Sequence, residues 1–319
     1  MTRPRLTTFG ESLLRLSTPV DDPLETTDSF DVYVGGAEGN VAVAAQRLGL
    51  DATWLSKLPR SPLGEKVTAT YRTHGVETAV TWADDGRVGT YYLERGGHPR
   101  GSTVVYDRDA SAITTATFED LADDPIERAD AVHVTGITPA LSQTLAKTTE
   151  KLLATATDRG TKTIFDVNYR SNLWEASTAA ETLAELLSLV DVLFVARRDA
   201  TDVLGFEGTD AEIIAGLRET YDPELVVLTR GDEGALASDG EKTVSQPVYE
   251  TETVDPIGTG DAFVGGFLAS WLDGGSLETA LEWGAATGAL KRTIAGDLAV
   301  VRPETVESIV AGDVEGISR

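Results

Sequence analysis

The stretch TVDPIGTGDAFVGGFL, Thr253 to Leu268, sets two acids around a small knot of glycines. Asp255 precedes the knot and Asp261 follows it, at the opening of an apolar run. Phe263, Phe267 and Trp271 recur at i, i+4 and i+8, which predicts a helix with one aromatic face, and Gly274 suits its stop. Gly258 and Gly260 let the backbone turn tightly and leave its N–H groups bare. With the helix dipole, those amides make a nest for an anion. Asp261, in the first turn, is kept ionised by the same dipole and is able to accept a proton. Two readings fit: an anion site with a base beside it, or a tight turn whose acid only complements the dipole. A Walker loop is excluded, because the chain has no Gly-Lys pair. A dinucleotide fingerprint would need a third glycine where Phe263 stands.

A second knot lies near the front, in YVGGAEGNVAVAAQRLG. Gly35, Gly36 and Gly39 break the chain before a predicted helix over Val41–Leu48, with Asn40 at its cap. This is either a plain capped start after a strand, or a place where bare backbone meets a small polar ligand and the Asn40 amide bonds its hydroxyls.

The alternation of segments around these knots sets the fold class. ADAVHVTGI reads as a buried strand and ALSQTLAKTTEKLLATATDRG as a helix. TKTIFDV, TAAETLAELLSLV, DVLFVA, AEIIAGLRETY and ELVVLTR continue as strand, helix, strand, helix, strand. Such alternation predicts an α/β fold, a doubly wound and mainly parallel sheet with helices on both faces. GESLLRLS, FDVYVGG, VGTYYLERG and STVVYDRD are short, strand-like and joined without helices. They are expected to form a small antiparallel lid sheet, contributed by residues of about 12–35 and 86–110, standing apart from the main body. Neither a linker nor a repeat divides residues 1–319, so a single domain is expected.

Composition removes several function classes. Lys and Arg number 27 against 52 Asp and Glu, a net charge of −25, which repels nucleic acid and anionic lipid. The acids are scattered as a solvated coat, and Lys is scarce beside Arg. This suits a halophilic protein in concentrated salt, where the Debye length falls to about 3 Å at 1 M and surface repulsion is screened. There is no cysteine, hence no thiolate metal site or cysteine nucleophile. His74, His98 and His133 stand singly, with His133 in a buried strand, so no bound transition metal is expected. No G-x-S-x-G elbow is present. Without a leader or a long apolar segment, the expected place is the cytoplasm.

Taken together, GGAEGNVAVAAQRLG and DPIGTGDAFVGGF resemble the paired signatures of the ribokinase-like (PfkB) carbohydrate kinases, over essentially the whole chain. GTYYLER, YDRDASA, VTGITPALS, FDVNYRSNLW and the AGD at Ala295–Asp297 are similar to the 2-keto-3-deoxygluconate kinases within that family. The resemblance implies ATP and Mg²⁺ as cofactors, with phosphoryl transfer to the terminal hydroxyl of a 2-keto-3-deoxy sugar acid. It implies Asp261 as base, with Gly258, Thr259 and Gly260 as the anion hole. Gly35, Gly36, Asn40, Tyr91, Tyr106, Arg108, Arg170, Asp261 and Asp297 map to the acceptor pocket. Asn168, Arg170, Thr229, Gly231, Gly234, Gly258 and Gly260 map to the nucleotide side. In a chain this acidic, Arg108 and Arg170 suit a carboxylate clamp.

The pattern is departed from where relatives carry Asn-x-x-Glu near the nucleotide site. Here FVARRDATDVLG puts Ala196 and Asp199 at those places, which bears on how Mg²⁺ is positioned. Asp255 reads mainly as structural, or as a partner of metal-bound water. The lid predicts a homo-oligomer formed through its sheet. The alternatives are a fructokinase- or ribokinase-type kinase of neutral sugars, which need no carboxylate clamp, and a non-catalytic sugar or nucleotide binder on the same fold.

Overall fold

In the computed structural model, which describes residues 2–20, 22–96 and 99–313, the alternating segments fold into one large sheet between two helical layers. In chain order the strands are β1 (Arg5–Phe9), β2 (Leu13–Ser17), β3 (Asp31–Gly35), β4 (Asp51–Pro59), β5 (Glu77–Ala83), β6 (Gly89–Glu94) and β7 (Thr103–Asp107). There follow β8 (Ala131–Thr135), β9 (Lys162–Asp166), β10 (Val192–Ala196), β11 (Leu225–Thr229), β12 (Ala235–Ser238) and β13 (Thr243–Gln246). The large sheet runs β13-β12-β11-β10-β9-β8-β1-β4-β5 and is parallel except for the antiparallel edge strands β12 and β13.

Period-2 geometry explains why its central strands are apolar on both faces. In β10, Leu193 and Val195 pack into one core, beneath the helices Gln143–Arg159, Ala176–Leu187 and Asp210–Tyr221. Val192 and Phe194 face the other, beneath Ala37–Arg47, Thr259–Leu272 and Leu277–Arg292. There Phe194 meets Phe267 edge-on, with ring centroids 5.3 Å apart. Phe263 and Phe267 are buried in this core and Trp271 packs against it, so the aromatic face is the inward one. Gly274 follows the helix end with φ 91, a conformation that favours glycine.

The first hundred residues do more than the sequence pattern suggests. β1, β4 and β5, with the helices Ala37–Arg47 and Pro62–Thr73, belong to the main body. The separate sheet is β3-β2-β6-β7, and its central pair β2–β6 is parallel, so the lid is mixed rather than antiparallel. The reason is connectivity: between β2 and β6 the chain leaves the lid, builds β4 and β5, and returns in the same direction instead of turning back in a hairpin. The front helix also begins a turn earlier than expected, at Ala37. The Asn40 N–H already bonds the Gly36 carbonyl at 2.7 Å, so Asn40 is not the cap; its Oδ1 accepts from the Gly36 N–H at 3.3 Å, which leaves its Nδ2 for another task. Among the described residues, no helix is long and apolar enough to cross a membrane.

Candidate active site

The Thr259–Leu272 helix opens at Gly258, whose φ of 83 lies in the left-handed region. A Cβ there would also fall 2.2 Å from the Asp297 carbonyl oxygen, so glycine is required twice over. The turn before it is pinned by Asp255, which accepts from the Ile257 N–H at 3.1 Å and the Gly296 N–H at 3.0 Å. The N–H groups of Gly258, Gly260 and Asp261 have no acceptor among the described residues; that of Thr259 reaches the Pro256 carbonyl at 3.3 Å. These are the orphan donors of a helix start, and here they face a cavity.

Asp261 stands in that first turn and is held by Asn40, whose Nδ2 donates to its Oδ2 at 2.6 Å. Burial pushes the Asp261 carboxyl up to about 6, while the Asn40 bond and the charge of Arg170 pull it down. Asp166, at the end of β9, is pushed further, to about 8, by burial and then by the neighbouring Asp261 charge. Burial raises both carboxyls, and the Asn40 bond and the Arg170 charge favour the ionised form of Asp261, the carboxyl next to the bare amides.

Every residue expected on the acceptor side lines one cavity of about 380 Å³, at the carboxyl ends of the parallel strands. They come from distant elements: Gly35 and Gly36 from the end of β3, Tyr91 and Tyr106 from the lid, Arg170 from beyond β9. Asn168 and Gly258, expected on the nucleotide side, line this cavity too. Thr229, Gly231, Gly234 and Gly260 line a second, smaller cavity of about 250 Å³, walled by Tyr249, Phe263 and Ala289. Thr259 and Gly260 border both, so the two spaces meet at the helix mouth.

The two expected clamp arginines differ. Arg108 is buried and engages Glu11 with both Nε, at 2.9 Å, and Nη2. Arg170 has no ion-pair partner among the described residues; its Nη1 bonds only the Tyr169 carbonyl, at 3.3 Å. Asp297 accepts from the Tyr91 hydroxyl at 2.6 Å and from Arg15 Nη1 at 3.0 Å. Arg15 also bonds Asp255 at 2.5 Å. A charged residue between Leu14 and Leu16 in a strand was the only sequence signal for this network. Sequence reasoning passed over Asp166 and over Glu11, Arg15 and Glu38, the last three of which have partners far off in the chain.

Among the described residues, no cluster of three or more His, Asp or Glu is placed to hold a metal ion. Both Asp199 oxygens are committed, one to Arg198 Nε at 3.0 Å and the other to the Tyr169 N–H at 3.3 Å. The residues present therefore form no cage for Mg²⁺. Asp255, with two arginines and two backbone amides on it, is structural. His133 is fully buried and burial lowers it to about 3, so it is a neutral core residue. His74 is only partly buried, and His98 lies outside the described residues.

A carboxyl beside unpaired amides, where two cavities meet, is an arrangement that suits group transfer. The pfkB family carbohydrate kinase model matches residues 3–301, and the chain belongs to that family. It is thus a phosphotransferase with an alcohol acceptor. It is 54% identical over 314 residues to the 2-dehydro-3-deoxygalactonokinase of Haloferax volcanii, covering 98% of this chain and 99% of that protein. It is 29% identical to the 2-dehydro-3-deoxygluconokinase of Thermoproteus tenax, covering 92% and 89% of the two chains. The crystal structure of a 2-dehydro-3-deoxygluconokinase from Thermotoga maritima superposes with a TM-score of 0.92 at 35% identity, covering 97% of this chain and all of that one.

Proposed function

We propose that the protein is an ATP-dependent sugar-acid kinase acting on the terminal hydroxyl of 2-keto-3-deoxygluconate or its galactonate epimer. The observation that carries the reading is Arg170: a guanidinium with no ion pair among the described residues, on the same cavity as Asp261, in a chain of net charge −25. Asp261, Asp166 and Asp199 feel its charge without bonding it, so its hydrogen-bonding edge is left for an anionic acceptor, which a neutral sugar would not match as an ion pair. Arg108, already paired with Glu11, acts as the weaker arm of the clamp.

The chemistry assigned to the chain follows from its own groups. Asp261 accepts the proton of the attacking hydroxyl. The amides of Gly258 and Gly260 lie where charge develops on the transferred group and its leaving oxygen. The smaller cavity, largely apolar and floored by Gly231 and Gly234, suits a purine, and ATP would supply the phosphoryl group there. Mg²⁺ has no cage of protein carboxylates and is expected to travel with the nucleotide's own phosphates. We also infer a homodimer through the lid. Val32, Leu16, Tyr92 and Val105 pair across β3-β2-β6-β7 as an apolar row on the face opposite Tyr91. Sedimentation as a monomer at micromolar concentration would rule that out.

An ATP-dependent phosphorylation panel of sugars and sugar acids in concentrated KCl tests the main reading, with 2-keto-3-deoxy acids expected to be turned over best. Preference for a neutral hexose would refute it. On the same panel, Arg170→Ala is expected to raise KM for the sugar acid by roughly 10- to 100-fold, the worth of a hydrogen bond to a charged group. A neutral sugar should lose far less, and equal losses on both would remove the clamp.

A further inference from the structure

The acceptor cavity contains a carboxyl to which the chemistry above gives no task. Glu38, the second residue of the Ala37–Arg47 helix, is 1% exposed and lines the same cavity as Asp261. Its Oε1 accepts three hydrogen bonds: from the Thr135 N–H at 3.0 Å, from Thr135 Oγ1 at 2.8 Å and from Thr138 Oγ1 at 2.7 Å. Its Oε2 accepts none among the described residues. The carboxyl lies against Gly10, where an added Cβ would come within 2.2 Å of both Cδ and Oε2, so a glycine on the neighbouring segment leaves the carboxyl its room.

One oxygen is thus saturated and holds the side chain still, while the other is left over. Oε2 is not among the fully buried polar atoms that lack a partner, so on a residue lining the cavity it is open to water or to a ligand hydroxyl. If Glu38 served only to tie the helix to β8, Oε1 alone would do it. From the same helical turn, Asn40 reaches Asp261, the group that faces the reacting hydroxyl. The residue that carries the unused oxygen therefore lines the cavity from the segment that also reaches Asp261.

We propose that Glu38 Oε2 binds a secondary hydroxyl of the acceptor, on a carbon between the reacting end and the far end of the chain, and so discriminates acceptors that differ in that hydroxyl's orientation. This builds on the kinase reading, but it needs only a polyhydroxy acceptor and not a sugar acid in particular. Rigidity makes the oxygen selective: three bonds fix its position, and an epimer whose hydroxyl points elsewhere leaves it unpaired.

The test is Glu38→Gln, which keeps Oε1 for the two threonines and replaces only the second oxygen with an amide nitrogen. It is measured with whichever acceptor the wild-type panel turns over best, with that acceptor's epimer at each secondary hydroxyl, and with thermal melting alongside. We expect KM for the acceptor to rise about tenfold or more, the KM for ATP to stay within about twofold, and the preference between one epimer pair to shrink by a similar factor. An unchanged acceptor KM and unchanged epimer preference in a normally melting variant would overturn the proposal. So would equal losses for acceptor and nucleotide together with a lower melting temperature, which would mark a tether alone. If the wild type prefers a neutral sugar, the sugar-acid reading fails on its own, while the effect of Glu38 is still read on that sugar.

Discussion

Asp261→Asn is expected to leave the protein folded and able to bind its acceptor while lowering kcat by about 10²-fold or more, the usual contribution of a positioned general base. The substitution is nearly isosteric, and an amide oxygen still accepts from Asn40 Nδ2, which now bonds Asp261 at 2.6 Å. What disappears is the site that takes the proton. Wild-type kcat/KM should fall as pH drops through about 6, where burial has placed the Asp261 carboxyl. The sign for stability is the opposite of the familiar paired-carboxylate case. A carboxyl raised from 3.8 to about 6 in the folded state binds protons that the unfolded chain would release, so its contribution to stability falls as pH rises through that window. Asp261→Asn should therefore melt no lower than wild type at pH 8. Near-normal turnover would remove Asp261 as base, and a large drop in melting temperature would show that the carboxylate is structural.

Arg15→Met is expected to destabilise the fold by about 3–5 kcal/mol, the cost of leaving buried charges without their counter-ion. Arg15 is fully buried, with Nε on Ser17 Oγ at 2.7 Å, Nη1 on Asp297 at 3.0 Å and Nη2 on Asp255 at 2.5 Å. Methionine restores most of the volume and none of the charge. Burial already holds the Asp297 carboxyl above its ordinary range, with Arg15 pulling it back down. Without Arg15 it should rise further, so the deficit should shrink as pH falls and Asp297 takes up a proton. Adding Asp297→Asn should recover part of the loss, because the two residues share one network. Denaturant unfolding at two pH values checks this, and a loss below about 1 kcal/mol would mean that the cluster is not a closed ion network. The network also links the lid to the site: a strand of the small sheet is tied to the Asp255 turn that presents the unpaired amides.

The glycine knot and its acid were legible in the chain because their physics is local. A positive φ at Gly258, bare amides at a helix start and an acid in the first turn all follow from a few adjacent residues. The two-faced sheet was legible for the same kind of reason, since an unbroken apolar strand between amphipathic helices has few ways to bury itself. Arg108 and Arg170 show where this stops. Both read as free clamp arms, and only the fold brings Glu11, 97 residues away, onto Arg108. Asn40 read as a helix cap because the helix was started four residues late, which hid its reach to Asp261, 221 residues on. Arg15 looked like one polar residue in an alternating strand, until packing set it against Asp255 and Asp297, 240 and 282 residues away.

The sequence by itself therefore determined what neighbouring residues can decide: the α/β class, the helix mouth with its bare amides, the acid beside it and the membership of a carbohydrate kinase family. Only the tertiary structure decided which charges are spent on one another and which remain for a substrate, and that the lid's central strands run parallel. The physical reason is that conformation and periodicity are written over a few residues, whereas a salt bridge or a strand direction depends on where chain segments hundreds of residues apart come to rest.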